Sequence, residues 1–245
     1  EDIKGQPDYY AAVAAGVGYG RVVDVTPMSK AMRLVHKLRV QNKLSGDLTV
    51  SEYQRIADII ARKSEYPARH GRETYMQNWI GDIVQVLNTS GKTNGALDAA
   101  GVIKVSEVLD GGFLARKHGW LVKAGVDRVV KNYNQGRSDT GLQIGAEYHR
   151  PLSNTWQLSE EVSVSSNLKS TEKAYRLNNK LALSKEVSDR MIWENYWTAN
   201  RSNYDNASAN TNHLLGTSYQ YHLTNVLDLT TGLEFSKNSG SKTDA

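Results

Sequence analysis

A chain of 245 residues is long enough for one large or two ordinary domains. It has no cysteine, which excludes disulfides and thiolate metal sites, and no apolar run approaches the ~18 residues that a spanning helix needs. The net charge of +4 is spread without a block of five or more Lys or Arg, so composition gives no footprint for nucleic acid or anionic lipid.

The chain opens Glu1-Asp2-Ile3, without Met and without a basic-apolar-small leader pattern, as expected of a mature chain whose signal peptide has been removed. Residues 1–25, with Gly and small apolar residues, read as an extended lead-in or one strand over Tyr19 to Val25. A helical domain is expected over 26–112. Thr26-Pro27 is its start signal, a capping oxygen followed by Pro in the first turn. Met32, Val35 and Leu38 then recur at helical spacing. Thr49-Val50-Ser51-Glu52 is a capping box, followed by an apolar stripe of Ile56, Ile59 and Ile60. Trp79, Ile83, Val84 and Leu87 mark a third helix, and Leu97 to Leu109 one or two more.

Within this domain, Gly46-Asp47-Leu48-Thr49-Val50-Ser51-Glu52 matches Gly101-Val102-Ile103-Lys104-Val105-Ser106-Glu107. Gly, an aliphatic two places on and Glu six places on are positions 6, 8 and 12 of an EF-hand loop, so the region resembles a degenerate pair of EF-hands. Position 1 is Gln41 in one copy and Ala96 in the other; position 3 is Lys43 and Asp98. A hard cation needs several oxygens, so no Ca²⁺ is expected in the first copy, and the second lacks most ligands. The resemblance implies a metal-free docking module. The alternative is two unrelated helix starts with Ser/Thr and Glu caps.

Residues 113–245 alternate apolar and polar in about seven runs, a period that helices do not produce. In the first, Trp120, Val122, Ala124, Val126 and Val130 oppose Lys123, Gly125, Asp127 and Lys131. In the second, Leu142, Ile144, Ala146 and Tyr148 oppose Gln143, Gly145, Glu147 and His149. The third sets Trp156, Leu158, Val162 and Val164 against Ser159, Glu161 and Ser163; the fourth sets Leu177, Leu181 and Leu183 against Arg176 and Lys180. Trp193 and Trp197 share a face of the fifth. Leu215, Tyr219 and Tyr221 lie opposite Ser218, Gln220 and His222 in the sixth, and Leu229, Leu233 and Phe235 opposite Asp228 and Glu234 in the seventh.

Connections at Pro151–Asn154, Glu186–Asp189 and Leu223–Asn225 are tight, and those at Gln135–Thr140, Asn167–Lys173 and Ser202–Asn212 are longer and polar. This rhythm, with thirteen Tyr and five Trp against two Phe, resembles small bacterial outer-membrane β-barrel proteins that carry a soluble N-terminal domain. The expected fold is therefore α+β, a helical domain followed by an antiparallel up-and-down meander that forms all or part of a transmembrane barrel. Seven runs end on the exterior side, whereas a closed single-chain bacterial barrel needs an even number, so a fragment of a larger barrel is one expectation.

In that frame Lys123, Asp127, Lys131, Glu147, Glu161, Arg176, Lys180, Asp228 and Glu234 face the lumen. Glu160, Asn179 and Arg128 fall on the lipid face, where charge is costly, and a soluble lipocalin-like barrel or β-sandwich would use the same alternation inside out. Strands of an oligomeric pore or toxin are a further alternative.

No catalytic residue is expected. A barrel-wall hydrolase would draw on His149, His213, His222, Ser218 and Glu147, but no Ser–x–His or Gly-x-Ser-x-Gly spacing joins them. His36, His70 and His118 lack metal-ligand spacing, Lys92 and Lys104 lie in no phosphate-binding loop, and the Asn-x-Ser/Thr matches at Asn88 and Asn206 are chance in a bacterial chain. No metal or other cofactor is expected. The expected partners are outer-membrane lipid, a protein for the helical domain and other copies of the chain, without nucleic acid. The expected location is the outer membrane of a Gram-negative bacterium with the helical domain periplasmic, and the expected role is transport or export, or anchoring an envelope complex. A secreted pore-forming or soluble β-domain binding protein is the alternative.

Overall fold

The structure, a computed structural model, describes residues 11–93, 95–111, 114–131, 140–167, 175–204, 207–224 and 227–240. Four α-helices and eight strands make an α+β chain: β1 Ala11–Asp24, α1 Thr26–Val40, α2 Val50–Ala61, α3 Tyr66–Thr89, α4 Ala99–Asp110, β2 Lys117–Lys131, β3 Thr140–Pro151, β4 Trp156–Asn167, β5 Tyr175–Ser188, β6 Met191–Tyr204, β7 Ala207–Thr224 and β8 Leu227–Ser239. The strands form one antiparallel sheet in sequence order from β1 to β8. Helices precede the meander as expected, with one correction: the lead-in is itself the first strand. Its residues pair along the whole of β2, from Ala11↔Lys131 to Asp24↔Lys117. The helical domain is thus a crossover between two neighbouring strands; the seven runs expected over 113–245 are β2 to β8, and β1 brings the strands among the described residues to eight.

Ser202–Asn212 is a second correction, because the long polar loop expected there is largely strand. β6 runs to Tyr204 and β7 starts at Ala207, with Ser202 opposite Asn210. Asn and Ala are weak strand formers, but ladder hydrogen bonds to neighbours override that preference. Most of the other two long connections, at Gln135–Thr140 and Asn167–Lys173, lies outside the described residues, as does Asn206.

The helical domain buries Leu34, Leu38, Ile56, Trp79, Ile83, Leu87 and Val105 almost completely. α1 starts with Pro27 in its first turn, but Thr26 is not its cap: Asp24 Oδ1 accepts from the Thr26 N–H at 2.9 Å, while Thr26 Oγ1 accepts from the Arg116 N–H at 2.8 Å. The capping box at α2 is present, Glu52 N–H to Thr49 Oγ1 and Thr49 N–H to Glu52 Oε2. α3 bends at Gly71, whose φ of +76° falls in the left-handed region that favours glycine.

The internal repeat exists in a different alignment. Gly101 lies inside α4, buried, and Asp98 caps that helix by accepting from the Gly101 N–H at 2.9 Å. The structural equivalents are the helix caps Thr49 and Asp98, so Lys43, Gly46 and Leu48 answer to Lys92, Gly95 and Leu97. The two interhelical loops meet in an antiparallel bridge between Leu44 and Thr93, with Ser45 N–H to Lys92 O at 2.7 Å. Each lysine then reaches into the other loop: Lys43 Nζ donates to Asp98 Oδ2 at 2.6 Å and Lys92 Nζ to the Asp47 carbonyl. Ammonium groups thus occupy the region between the paired loops, which explains why the oxygen ligands of a cation site are not needed to hold the pair together.

Candidate functional site

Both faces of the sheet and the junction with the helical domain carry the functional information. Register settles the faces. The even-numbered residues of β1, the odd ones of β2–β4 and the even ones of β5–β8 share one side, which is polar. That side is concave: a single hollow of about 520 Å³ touches all of β1 to β5, lined by Lys123, Asp127, Gln143, Ser163, Arg176 and Asn178 over a floor that includes Gly16 and Gly145.

Of the lumen-facing set expected from the sequence, Lys123, Asp127, Glu147, Glu161, Arg176, Lys180, Asp228 and Glu234 all fall on this polar face; the side chain of Lys131 lies outside the described residues. Several pair with one another. Lys123 meets Glu147 at 2.6 Å and Lys180 approaches Glu194 at 3.8 Å. Tyr196 on β6 crosses over Gly216 on β7 to donate to Glu234 on β8. A Cβ on Gly216 would sit 2.3 Å from the Tyr196 ring, so only glycine permits that crossing.

The opposite, convex face is apolar and bare. Val17 and Tyr19 are 79% exposed, Phe235 71% and Leu233 65%. Near the helical end of the strands this face carries a belt of aromatic rings, from Tyr19 and Trp120 through Tyr148, Trp156 and Trp193 to Tyr219. Tyr19 and Trp120 meet edge to face at 5.6 Å, Trp156 and Trp193 at 6.2 Å, and Trp193 stacks on Tyr219 at 5.8 Å. The indole N–H of Trp193 donates to Thr217, and Lys185 Nζ sits 4.9 Å above the Trp156 ring. Beyond the belt lie Val122, Val126, Ile144, Val164 and Leu215. Of the polar exceptions, Arg128 is opposite Thr140 at the end of the sheet far from the helices, and Glu160 is flanked by Tyr148 and Leu181 beside the belt. Asn179, between Val162 and Ala199, is an interior exception.

The helical domain is fixed to the rim by groups that lie far apart in sequence. The Glu186 carboxylate, 4% exposed, accepts from Arg33 of α1, from Arg116 at 2.9 Å and from the Leu114 N–H at 2.7 Å. Arg116 also donates to the Asn154 carbonyl, whose side chain accepts from Ser29, and Lys37 pairs with Asp189. Partial burial works against ionisation of Asp189, but the Lys37 ammonium outweighs it and holds that carboxyl below its ordinary range. Beneath this junction the polar face is filled: His149, Gln157 and Ser184 are buried, and Gln157 Nε2 reaches across β3 to the Lys117 carbonyl.

The structure does not bring together the histidines that a barrel-wall hydrolase would draw on. His213 lies on the convex face, stacked on Trp197 at 6.0 Å, and His222 pairs with Asp228 at 2.5 Å rather than with Ser218. His149 joins Ser159 through Nδ1 at 3.0 Å, with Glu147 and Glu161 at 3.7 and 4.0 Å from Nε2. The sequence reading had not paired Ser159 with a histidine. At 2% exposure the imidazole is walled in between β3 and β4, outside the residues that line the open hollow, so it ties the two strands rather than meeting a substrate. His36 is exposed on α1, His70 stacks on Tyr66, and no group of three metal-ligating side chains exists among the described residues.

Arg33, Arg116, Glu186 and Asn154 are the positions that sequence reasoning missed. They carry no local motif; only the fold joins them. No helix among the described residues is long and apolar enough to cross a membrane, which says nothing of strands. Comparison with known proteins gives no matching family model and no significant match to a curated protein or a solved structure.

Proposed function

We propose that the sheet is wall of an outer-membrane β-barrel and that the helical domain, clamped to its periplasmic rim, serves transport or export or anchors an envelope complex. The observation that carries this reading is the convex face: apolar, exposed, and bordered on the helical side by aromatic rings from β1, β2, β3, β4, β6 and β7. Tyr and Trp with an apolar body and a polar tip concentrate where a bilayer meets water, and an aliphatic band beside such a girdle matches the lipid-facing zone of barrel strands. A soluble β-domain would turn this face into a core, yet no element covers it among the described residues.

The short connections after β3, β5 and β7 share the rim with the helical domain, as periplasmic turns do. A helical domain on that rim reaches soluble envelope partners while the strands hold it at the membrane. Fractionation of cells that make the full chain, followed by electrophoresis of heated and unheated samples, tests the reading. Outer-membrane recovery with a heat-shifted band is expected. A soluble band without a shift would replace it with a secreted β-domain binding protein.

A further inference from the structure

We propose that the free edge of β8 pairs with β1 of the same chain, closing an eight-stranded barrel that is blind at the helical rim and so anchors the helical domain without conducting. The anchoring half rests on the membrane reading above; the closure does not. β1 and β8 are the two edges of the sheet, and each is exposed along nearly its whole length. An edge that long, with bare N–H and C=O groups, is unstable against pairing unless it is closed or blunted, and β1 has no Pro and no inward charge before Asp24 at its helical end.

The two edges fit each other. β1 runs toward the helical rim and β8 away from it, so their contact is antiparallel, like every other pair in the sheet. Their lengths, 14 and 13 residues, match. Both present apolar residues outward, Val13, Val17 and Tyr19 on one and Leu229, Leu233 and Phe235 on the other, so closure continues the apolar wall without a seam.

Curvature and stagger are also those of a closing barrel. One hollow reaches from Ala14 on β1 to Arg176 on β5, so five strands already wrap a common space. The line of partners that starts at Arg21, three residues from the helical end of β1, ends at Phe235, four residues from the opposite end of β8. Such progressive displacement is the shear that tilts barrel strands.

Eight strands enclose an interior that side chains can fill. Away from Val22 and Asp24 at its helical end, β1 contributes Ala12, Ala14, Gly16, Gly18 and Gly20 to the concave face, leaving room for the long side chains of Arg176, Lys180 and Tyr196. At the helical rim the interior is shut by buried His149, Gln157, Ser184 and the Arg33–Glu186–Arg116 cluster.

The natural chain has no cysteine, so paired cysteines read the closure directly. Val17→Cys is combined in turn with Leu229→Cys, Thr231→Cys and Leu233→Cys, which cover neighbouring registers on the convex face, and Leu215→Cys/Phe235→Cys serves as the control already paired in the sheet. Oxidation of the full chain in detergent, followed by non-reducing electrophoresis, should give a fast-migrating cross-linked monomer for one of the three pairs. Cross-linked dimers alone would mean that the wall is shared between copies and would overturn the proposal, as would a cross-linked control with none of the three pairs reacting. In planar bilayers the protein should show no conductance steps; stable steps would refute the blind lumen. Failure of the membrane reading would appear separately, as a cross-linked monomer absent from the outer-membrane fraction.

Discussion

The two halves of this molecule are inside out relative to each other. In the helical domain Leu34, Val35, Leu38, Ile56, Ile83, Leu87 and Val105 are wholly shielded, and most charges, Arg33 at the junction excepted, are outside. In the sheet most apolar side chains are outside, while Lys123 pairs with Glu147 and Lys180 with Glu194 within the concave face. The same chain therefore buries apolar surface against itself in one region and offers it to the surroundings in the other. Removing apolar area from water drives both cases, at roughly 25 cal/mol per Å². On the membrane reading proposed above, only the solvent differs, protein interior for the helices and lipid for the strands. The same reading places the boundary between the two solvents at the aromatic belt on one side and the Glu186 cluster on the other.

The comparison can be broken most sharply at Trp79, 1% exposed and hydrogen-bonded through its indole N–H to the Ile59 carbonyl. Trp79→Ala should cost about 3–5 kcal/mol in denaturant unfolding of the helical domain while leaving the heat-shifted band of the barrel intact. Loss of both together would show that the two regions are one cooperative unit. Glu186→Ala strands two arginines in a buried site and should cost a similar amount, about 3–5 kcal/mol, but at the junction alone; faster amide exchange at Leu114 would report it. On the convex face, Ile144→Arg should lower folding stability in lipid by about 2–4 kcal/mol, measured by urea titration in vesicles, and change little in a water-soluble fold.

Smaller effects belong to the paired loops. Thr49→Ala removes the acceptor of the capping box and should cost about 1 kcal/mol of helical-domain stability, read from thermal unfolding. The Lys43 ammonium, with the Gly101 N–H, holds the Asp98 carboxyl below its ordinary value of 3.8. Its pairing therefore stabilises the fold above that value and is lost as pH falls through the lower folded one, because the unfolded chain binds the proton first. Tryptophan emission against pH should show this loss in the natural chain and less of it in Lys43→Met.

Much of the β meander was legible because strict alternation at positions such as Leu142–Tyr148 and Leu227–Phe235 has only one regular explanation. β1 was only half legible. Its concave residues up to Gly20 are Ala and Gly and its convex ones include Ala15, so the contrast that signals a strand is weak until β2 pairs with it. Alternation also could not say which face is concave; the hollow on the polar side shows that. The capping box at Thr49 was read correctly because capping is local. The loop repeat was misaligned because Gly-x-aliphatic recurs near Gly101 by chance, whereas the true equivalence shows in the Leu44–Thr93 bridge. Arg33 and Glu186 are 153 residues apart, and no local pattern marks either as half of a buried pair.

The most direct test of the two-solvent account uses the tryptophans themselves. One of the five, Trp79, lies in the helical core, and Trp120, Trp156, Trp193 and Trp197 lie on the convex face. In vesicles containing brominated lipid, the account predicts strong quenching in the natural chain. A variant with the four sheet tryptophans changed to Phe, so that only Trp79 emits, should be unquenched. Equal emission from the natural chain in brominated and ordinary lipid would contradict a lipid-facing convex surface.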